Sequence, residues 1–289
     1  MTQPSIVQRL VARAERYPRD EFNRVEVFEA SNARVLTWLD DPYRAPIEAA
    51  HPLHELATWH AHTGVVATEA SERWRELERS FYYQSLGLRL QVANWNGRAR
   101  PRRMLIELAL NAGMLAAWAT WWNNDAVASW LGHLLTDPGE APFNMGDPPI
   151  PAEWFVGMLQ ETRDDELYAA LDMEILPHLG HYRPLVEYLF RGGPVPNEAF
   201  AALCDYHVEQ ALDEYHGVYR HTPWDLFPVE LLAYQRRCEQ YGLEPPRADH
   251  PIIHTPLCEP HELTEPPEDM RPLAAAVDEA CAVLQGSAR

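Results

Sequence analysis

The sequence predicts an all-α protein: a multi-helix bundle in two helical halves, followed by a proline-rich, extended C-terminal segment. Three observations predict this fold class. Apolar residues recur at helical spacing along most of the 289 residues, no window alternates as a half-buried β-strand does, and prolines cluster where helices are expected to stop. Hydrophobic residues make up 46% of the chain, which is enough to build a folded core.

The N-terminal half is expected to form five helical stretches. Pro18 and the pair Asp41-Pro42 end the first two, because proline disfavours helical backbone in the residue before it. Within the third, Glu76 and Arg79 are spaced as an ion pair on an exposed helix surface. The fourth is the most apolar, but Glu107 inside it predicts a buried core helix rather than a membrane span. The stretches cover residues 5–17, 20–39, 63–94, 104–122 and 125–135.

Residues 138–151 predict a linker, because they contain five prolines and two glycines. They would separate an N-terminal helical module at 1–137 from an acidic C-terminal helical module at 152–289. In the second module, helices are expected at 152–160, 164–176, 182–190, 197–219 and 228–241. Eight prolines between 245 and 272 then predict an irregular segment, and Pro272 is expected in the first turn of a last helix.

The charge excludes several classes of function. All 24 basic residues are arginine and 43 residues are acidic, so the net charge is −19. Without lysine there is no Schiff-base or phosphate-loop lysine, and so acidic a chain lacks the clustered cations that bind nucleic acid. Residues 1–150 hold 15 arginines and 18 acidic residues, whereas 151–289 hold 9 and 25. The second half therefore carries −16 and is expected to attract a basic partner.

One predicted helix, at 197–219, has an acidic face opposite an apolar one. At about 100° per residue, the apolar side chains fall in one stripe and three carboxylates fall on the other side. We predict that this second face binds the partner, and the alternative is an ordinary solvated surface. The apolar stripe contains Phe200, Cys204, Val208, Ala211, Tyr215 and Val218, and the predicted binding face contains Asp205, Glu209, Asp213 and His216.

The histidines raise the question of a metal site. His51, His54, His60 and His62 do not have the H-E-x-x-H spacing of zinc proteases and are predicted to be ordinary boundary residues that bind no metal. A second group, three histidines and a cysteine near the C-terminus, is spaced by four, four and three residues, and both residue types are common zinc ligands. Because prolines keep that segment extended, we expect no metal and no cofactor. The alternative is a zinc-binding helical protein or metal-dependent enzyme that uses His250, His254, Cys258 and His261.

No catalytic motif stands out, so the chain is not expected to be an enzyme. The sequence contains no G-x-S-x-G, no G-x-G-x-x-G and no phosphate loop. The four cysteines form no C-x-x-C pair, and the first twenty residues lack the apolar region of a secretory signal. These features predict a cytoplasmic location.

The stretch from Tyr215 to Pro246 resembles the C-terminal module of the PoNi family of immunity proteins. The resemblance rests on paired tyrosines at 215 and 219, on Trp224, and on a helix that carries Glu230 and ends at Gly242-Leu243. Loose similarity extends over most of residues 65–255. The family neutralises polymorphic nuclease toxins of the type VI kind that bacteria deliver to one another. The resemblance implies a helical, non-enzymatic protein that binds a cognate toxin and occludes its active site. The charge predicts that the toxin is basic and that no nucleic acid is bound, and the fourth helical stretch predicts no membrane partner.

Overall fold

A computed structural model describes residues 5–96, 106–136, 179–213, 219, 221–263 and 265–286. Every regular element in these residues is helical, which confirms the predicted all-α fold class. Two compact units divide the chain. The terminal unit comprises residues 1–102 and 263–289, and the central unit comprises residues 103–262.

The described helices agree with most of the predicted stretches. They are α1 (Ile6–Ala14), α2 (Arg16–Arg19), α3 (Ala30–Leu39), α4 (Ala50–Val66), α5 (Ala70–Asn96), α6 (Ile106–Trp121), α7 (Asp125–Thr136), α8 (Arg183–Arg191), α9 (Asn197–Leu212), α10 (Val229–Gln240) and α11 (Arg271–Gly286). A π-helical segment, Asn23–Glu29, leads into α3. Short 3-10 turns lie at Pro46–Ala49, Gly180–Tyr182, Pro251–His254, Pro256–Cys258 and Glu268–Met270.

The core of the terminal unit lies between α3, α4, α5 and α11. Helices α4 and α5 pack so closely that a methyl group on Gly64 would lie 2.9 Å from Leu77 Cγ. The proline-rich segment ends at α11, where Pro272 occupies the first turn as predicted. Twelve buried side chains form this core: Val35, Trp38, Ala49, Ala50, Leu53, Leu56, Leu86, Leu90, Met270, Leu273, Val277 and Ala280.

The division into units differs from the predicted modules at both boundaries. The predicted linker at 138–151 lies outside the described residues, as do the predicted helices at 152–160 and 164–176. The last helix, α11, belongs with the N-terminal residues because it packs against α5. Arg79 donates to Asp269 over 2.6 Å and Arg89 forms an ion pair with Asp278, so these contacts join residues almost 190 positions apart.

Helix α4 was not anticipated. It contains all four histidines His51, His54, His60 and His62, of which His60 is buried. His60 Nδ1 lies 2.6 Å from Glu76 Oε2, and its ring stacks on Tyr83 at 5.3 Å. Glu76 is therefore a buried partner of His60 and Arg75 rather than the surface partner of Arg79.

We expect Glu76 to make the terminal unit sensitive to acid. Burial raises the pKa of its carboxyl, but the hydrogen bond and charge of His60, together with Arg75, outweigh burial and hold the pKa below its ordinary value. A carboxyl group whose pKa is lowered by folding stabilises the protein at pH values above its pKa in the unfolded state, about 4.3. This stabilisation is lost as the pH falls through the lower pKa of the folded state. Glu76→Gln should therefore lower stability by about 1–3 kcal/mol above pH 5.

The measurement is thermal unfolding of the Glu76→Gln variant and the wild type between pH 3 and pH 7. The matched control is Glu72→Gln, which removes an exposed carboxylate one turn earlier on α5. The difference between wild type and Glu76→Gln should shrink below pH 4, whereas the control should differ little at any pH. A Glu76→Gln difference that does not change with pH would contradict the assignment.

The central unit is organised around α6 and α10, which pack against each other. The side chains between them are aromatic: Trp118 on α6 meets Trp224 and Phe227, which precede α10, edge to face at 5.4 and 5.5 Å. Helix α6 has 16 residues, and among the described residues no helix is long and apolar enough to span a membrane.

Candidate acidic interface

Nearly all the net negative charge belongs to the central unit. Residues 103–262 contain 8 arginines and 25 acidic residues, a net charge of −17. The terminal unit contains 16 arginines and 18 acidic residues, a net charge of −2. The asymmetry is slightly sharper than that between the sequence halves, because residues 103–150, with one arginine and five acidic residues, belong to the central unit and outweigh the net charge of −3 that residues 263–289 take to the terminal unit.

Helix α9 displays part of this charge on one side. Phe200, Cys204, Val208 and Ala211 are buried as the apolar stripe predicted. Asp205, Glu209 and Asp213 are exposed at successive turns, and we call them the acidic strip. The helix ends at Leu212, earlier than predicted, and Asp213 follows it in extended conformation. The fourth predicted residue, His216, lies outside the described residues, as do Tyr215 and Val218 of the apolar stripe.

The acidic strip lies at the unfavourable end of α9. Glu209 is in the last helical turn, Asp213 is the residue after it, and no basic residue occupies that turn. The C-terminus of a helix carries partial negative charge, so each carboxylate there costs about 0.3–1 kcal/mol at a surface. Carboxylates one turn apart also repel one another. A cation bound along the strip would relieve both effects.

Two carboxylates of the strip, Asp205 and Glu209, are weakly neutralised by the residues that the structure describes. Asp205 is 73% exposed, and its Oδ1 lies 3.3 Å from His250 Nε2. Glu209 forms no ion pair with any residue that the structure describes. The contact with His250 ties the middle of α9 to the proline-rich segment, so the strip continues onto a second surface segment.

A buried polar network lies behind the strip, on the opposite side of α9. His207 Nδ1 is 2.7 Å from Oε1 of Glu230 on α10, and both side chains are fully buried. Tyr219 stacks on the His207 ring at 4.2 Å, and its hydroxyl is hydrogen-bonded to that of Tyr182. Sequence reasoning singled out Tyr219 and Glu230 but missed His207. The available signal was its position between Cys204 and Ala211 in the buried stripe.

This buried network is closed to a substrate. Burial, reinforced by the charge of Glu230, raises the pKa of Tyr182 and Tyr219 well above the ordinary value, so both phenols stay protonated. A histidine beside a carboxylate is capable of acid–base chemistry, but a substrate cannot reach a pair that is fully buried. Glu230 Oε2 and His207 Nε2 have no hydrogen-bond partner in the described structure, so each of these two atoms carries a desolvation cost that the hydrogen bond between the side chains must offset.

The four residues considered as zinc ligands do not converge. His250 faces Asp205, His254 lies 4.0 Å from Asp249, and Cys258 donates its thiol to Ile252 O at 3.3 Å. His261 packs edge to face against Trp122. Throughout the described ranges, no group of three or more histidine, cysteine or acidic side chains has metal-binding geometry. The geometry therefore does not support a zinc site in this segment.

Comparison of the chain with models of known protein families, with characterised proteins and with solved structures finds no match.

Proposed function

We propose that this chain is an immunity protein, which binds a cognate antibacterial toxin and neutralises it by occluding its active site. The toxin is a basic protein, and the resemblance of residues 215–246 makes it a nuclease effector of the type VI kind. The protein acts in the cytoplasm, where a nuclease would meet its target. The observation that carries the proposal is the acidic strip at the C-terminal end of α9, in a unit of net charge −17.

The strip supports binding of a basic protein because cations that approach it would relieve the electrostatic cost of its carboxylates. The same carboxylates that weaken the end of α9 would attract a positive surface over a distance of about a Debye length, roughly 8–10 Å at physiological salt. Complementary charge chiefly accelerates association and selects the partner. The affinity itself must come from desolvated contacts near the strip.

The test is association of the protein with the toxin encoded beside its gene. Asp205→Asn, Glu209→Gln and Asp213→Asn, combined in one variant, should lower the association rate about tenfold at low salt. The dissociation rate should change less, because exposed charges act mainly on the encounter. The measurement is stopped-flow or surface plasmon resonance at several salt concentrations, with survival of toxin-expressing cells as the functional assay.

A matched control separates the strip from net charge in general. Glu21→Gln, Glu26→Gln and Glu48→Gln change the charge by the same amount, at exposed positions of the terminal unit. This control should associate almost as fast as wild type. Equal slowing of association in both variants would show that the strip acts only through the net charge of the protein. Absence of toxin binding and of cell protection with the wild type would refute the proposed function.

A further inference from the structure

The central unit has a cleft beside the acidic strip, formed by α6, α10 and the proline-rich segment. Its volume is about 450 Å³, within the range of sites that hold small molecules or protein side chains. Trp121, Leu232 and Ile253 give it apolar walls, and Gln235, Arg247 and Asp249 add polar groups. All of these residues belong to the central unit.

The irregular wall of the cleft is held in place by side-chain hydrogen bonds. Gln235 Nε2 donates to Pro246 O over 2.7 Å, and the Arg247 backbone N–H donates to Asn197 Oδ1 over 2.8 Å. Further along, the thiol of Cys258 donates to Ile252 O. Because this wall is already ordered, an occupant would not have to bear the entropic cost of ordering it.

The cleft and the acidic strip are linked through two consecutive residues of the proline-rich segment. Asp249, in the cleft wall, precedes His250, and His250 lies against Asp205 of the strip. Apolar walls beside a charged, exposed margin are the arrangement found at the centre and edge of protein interfaces. The cleft is therefore placed where a protein bound to the strip would insert an anchoring side chain.

The charge of the wall selects the occupant. Residues 244–262 contain four carboxylates, all exposed, and a single arginine. Arg247 opposes a second cation, whereas this surplus of carboxylates and the net negative charge of the unit favour one. An arginine side chain suits the other groups of the cleft: its methylenes would pack on Leu232 and Ile253, its planar cation would stack on Trp121, and Asp249 would supply a counter-charge.

We propose that the cleft is the anchor pocket of the interface and that it takes an arginine side chain of the basic partner. The inference rests on the proposed function for the identity of that partner, but the pocket itself can be tested without any toxin. The probe is N-acetyl-arginine amide, and its control is N-acetyl-citrulline amide, which has the same shape without the charge.

Binding of the probe is followed by NMR of protein labelled at the tryptophan indole nitrogens. The Trp121 signal is assigned by its disappearance in Trp121→Phe. The arginine probe should shift this signal with millimolar affinity, and the citrulline probe should bind at least threefold more weakly. Equal shifts with both probes, or no shift with arginine, would overturn the proposal whatever the toxin does.

Two single variants give opposite expected signs, which identifies the charge of the occupant. Asp249→Asn should weaken the arginine probe about two- to fivefold, and Arg247→Gln should strengthen it by a similar factor, since exposed charge pairs have effects of this size. Trp121→Leu should weaken it about two- to fivefold through loss of the stacked ring. Tighter binding in Asp249→Asn, or weaker binding in Arg247→Gln, would show that the cleft prefers an anion and would refute the assignment.

The toxin experiment then separates the two proposals. If the toxin binds and Trp121→Leu leaves its dissociation rate unchanged, the anchor pocket is refuted and the immunity function stands. If the arginine probe binds as described but no toxin does, the immunity function is refuted while the arginine-binding cleft remains.

Discussion

Replacing Glu230 by alanine is expected to lower the free energy of unfolding of the central unit by about 3–5 kcal/mol, because removal of one member of a buried pair strands the other. His207 would keep its place between α9 and α10, stacked on Tyr219, with no acceptor for Nδ1. The side chain is fully buried, so bulk water does not reach His207 unless the helices open. The measurement is urea unfolding monitored by far-UV circular dichroism.

Two further variants separate the effect of the lost hydrogen bond from the effect of lost packing. Glu230→Gln keeps the shape and an oxygen acceptor, so it should cost less than Glu230→Ala. The double variant His207→Phe with Glu230→Leu removes both polar partners and keeps the ring that stacks on Tyr219. It should recover much of the lost stability, because apolar replacement of a whole buried pair is often neutral or stabilising. A cost below about 1 kcal/mol for Glu230→Ala would show that the pair contributes little.

Helices whose ends are set by neighbouring residues could be predicted from the sequence, whereas helices that depend on contacts with distant residues could not. Helix α10 begins and ends within one residue of the predicted 228–241, because proline before it and glycine after it are local signals. Helix α4 was missed although it is 17 residues long. Its histidines obscured the apolar pattern, and the burial of His60 depends on Glu76, which lies on the next helix.

Long-range placement could not be predicted from the sequence. Arg79 has an acidic residue three positions earlier, at Glu76, yet its partner is Asp269 near the other end of the chain. Local charge spacing describes which pairs a helix could form, and tertiary packing decides which pairs form. The same limit applies to α11, whose apolar face gave no indication that it packs on α5 rather than in the C-terminal half.

The acidic strip was predictable and the cleft was not, for related reasons. A helical repeat places Asp205 and Glu209 on one face whatever the rest of the fold does. The cleft requires Trp121, Leu232 and Asp249 to meet from three separate segments, one of which has no regular structure to predict. The contact between Asp205 and His250 joins the two features, and only the structure shows it.

Trp118→Ala is expected to be the second severely destabilising substitution in the central unit. It should lower the free energy of unfolding by about 3–5 kcal/mol, as truncation of other fully buried large aromatic side chains does. The ring meets Trp122, Trp224 and Phe227 at 4.9–5.5 Å in edge-to-face geometry, which adds to the area it buries. Urea unfolding measures the loss. Phe22→Ala is the control. Because Phe22 is 68% exposed, its replacement should lower the free energy of unfolding by less than about 0.5 kcal/mol.

The same substitution links the aromatic core to the cleft. Trp118 lies three residues before Trp121 on α6, and two of its partners immediately precede α10, which carries Leu232. Loosening α6 against α10 should therefore disturb two walls of the cleft and weaken the arginine probe, although Trp118 does not line it. Indole added to Trp118→Ala should fill the apolar cavity, raise the melting temperature and restore probe binding together. Stability restored without probe binding would show that the cleft does not depend on this core.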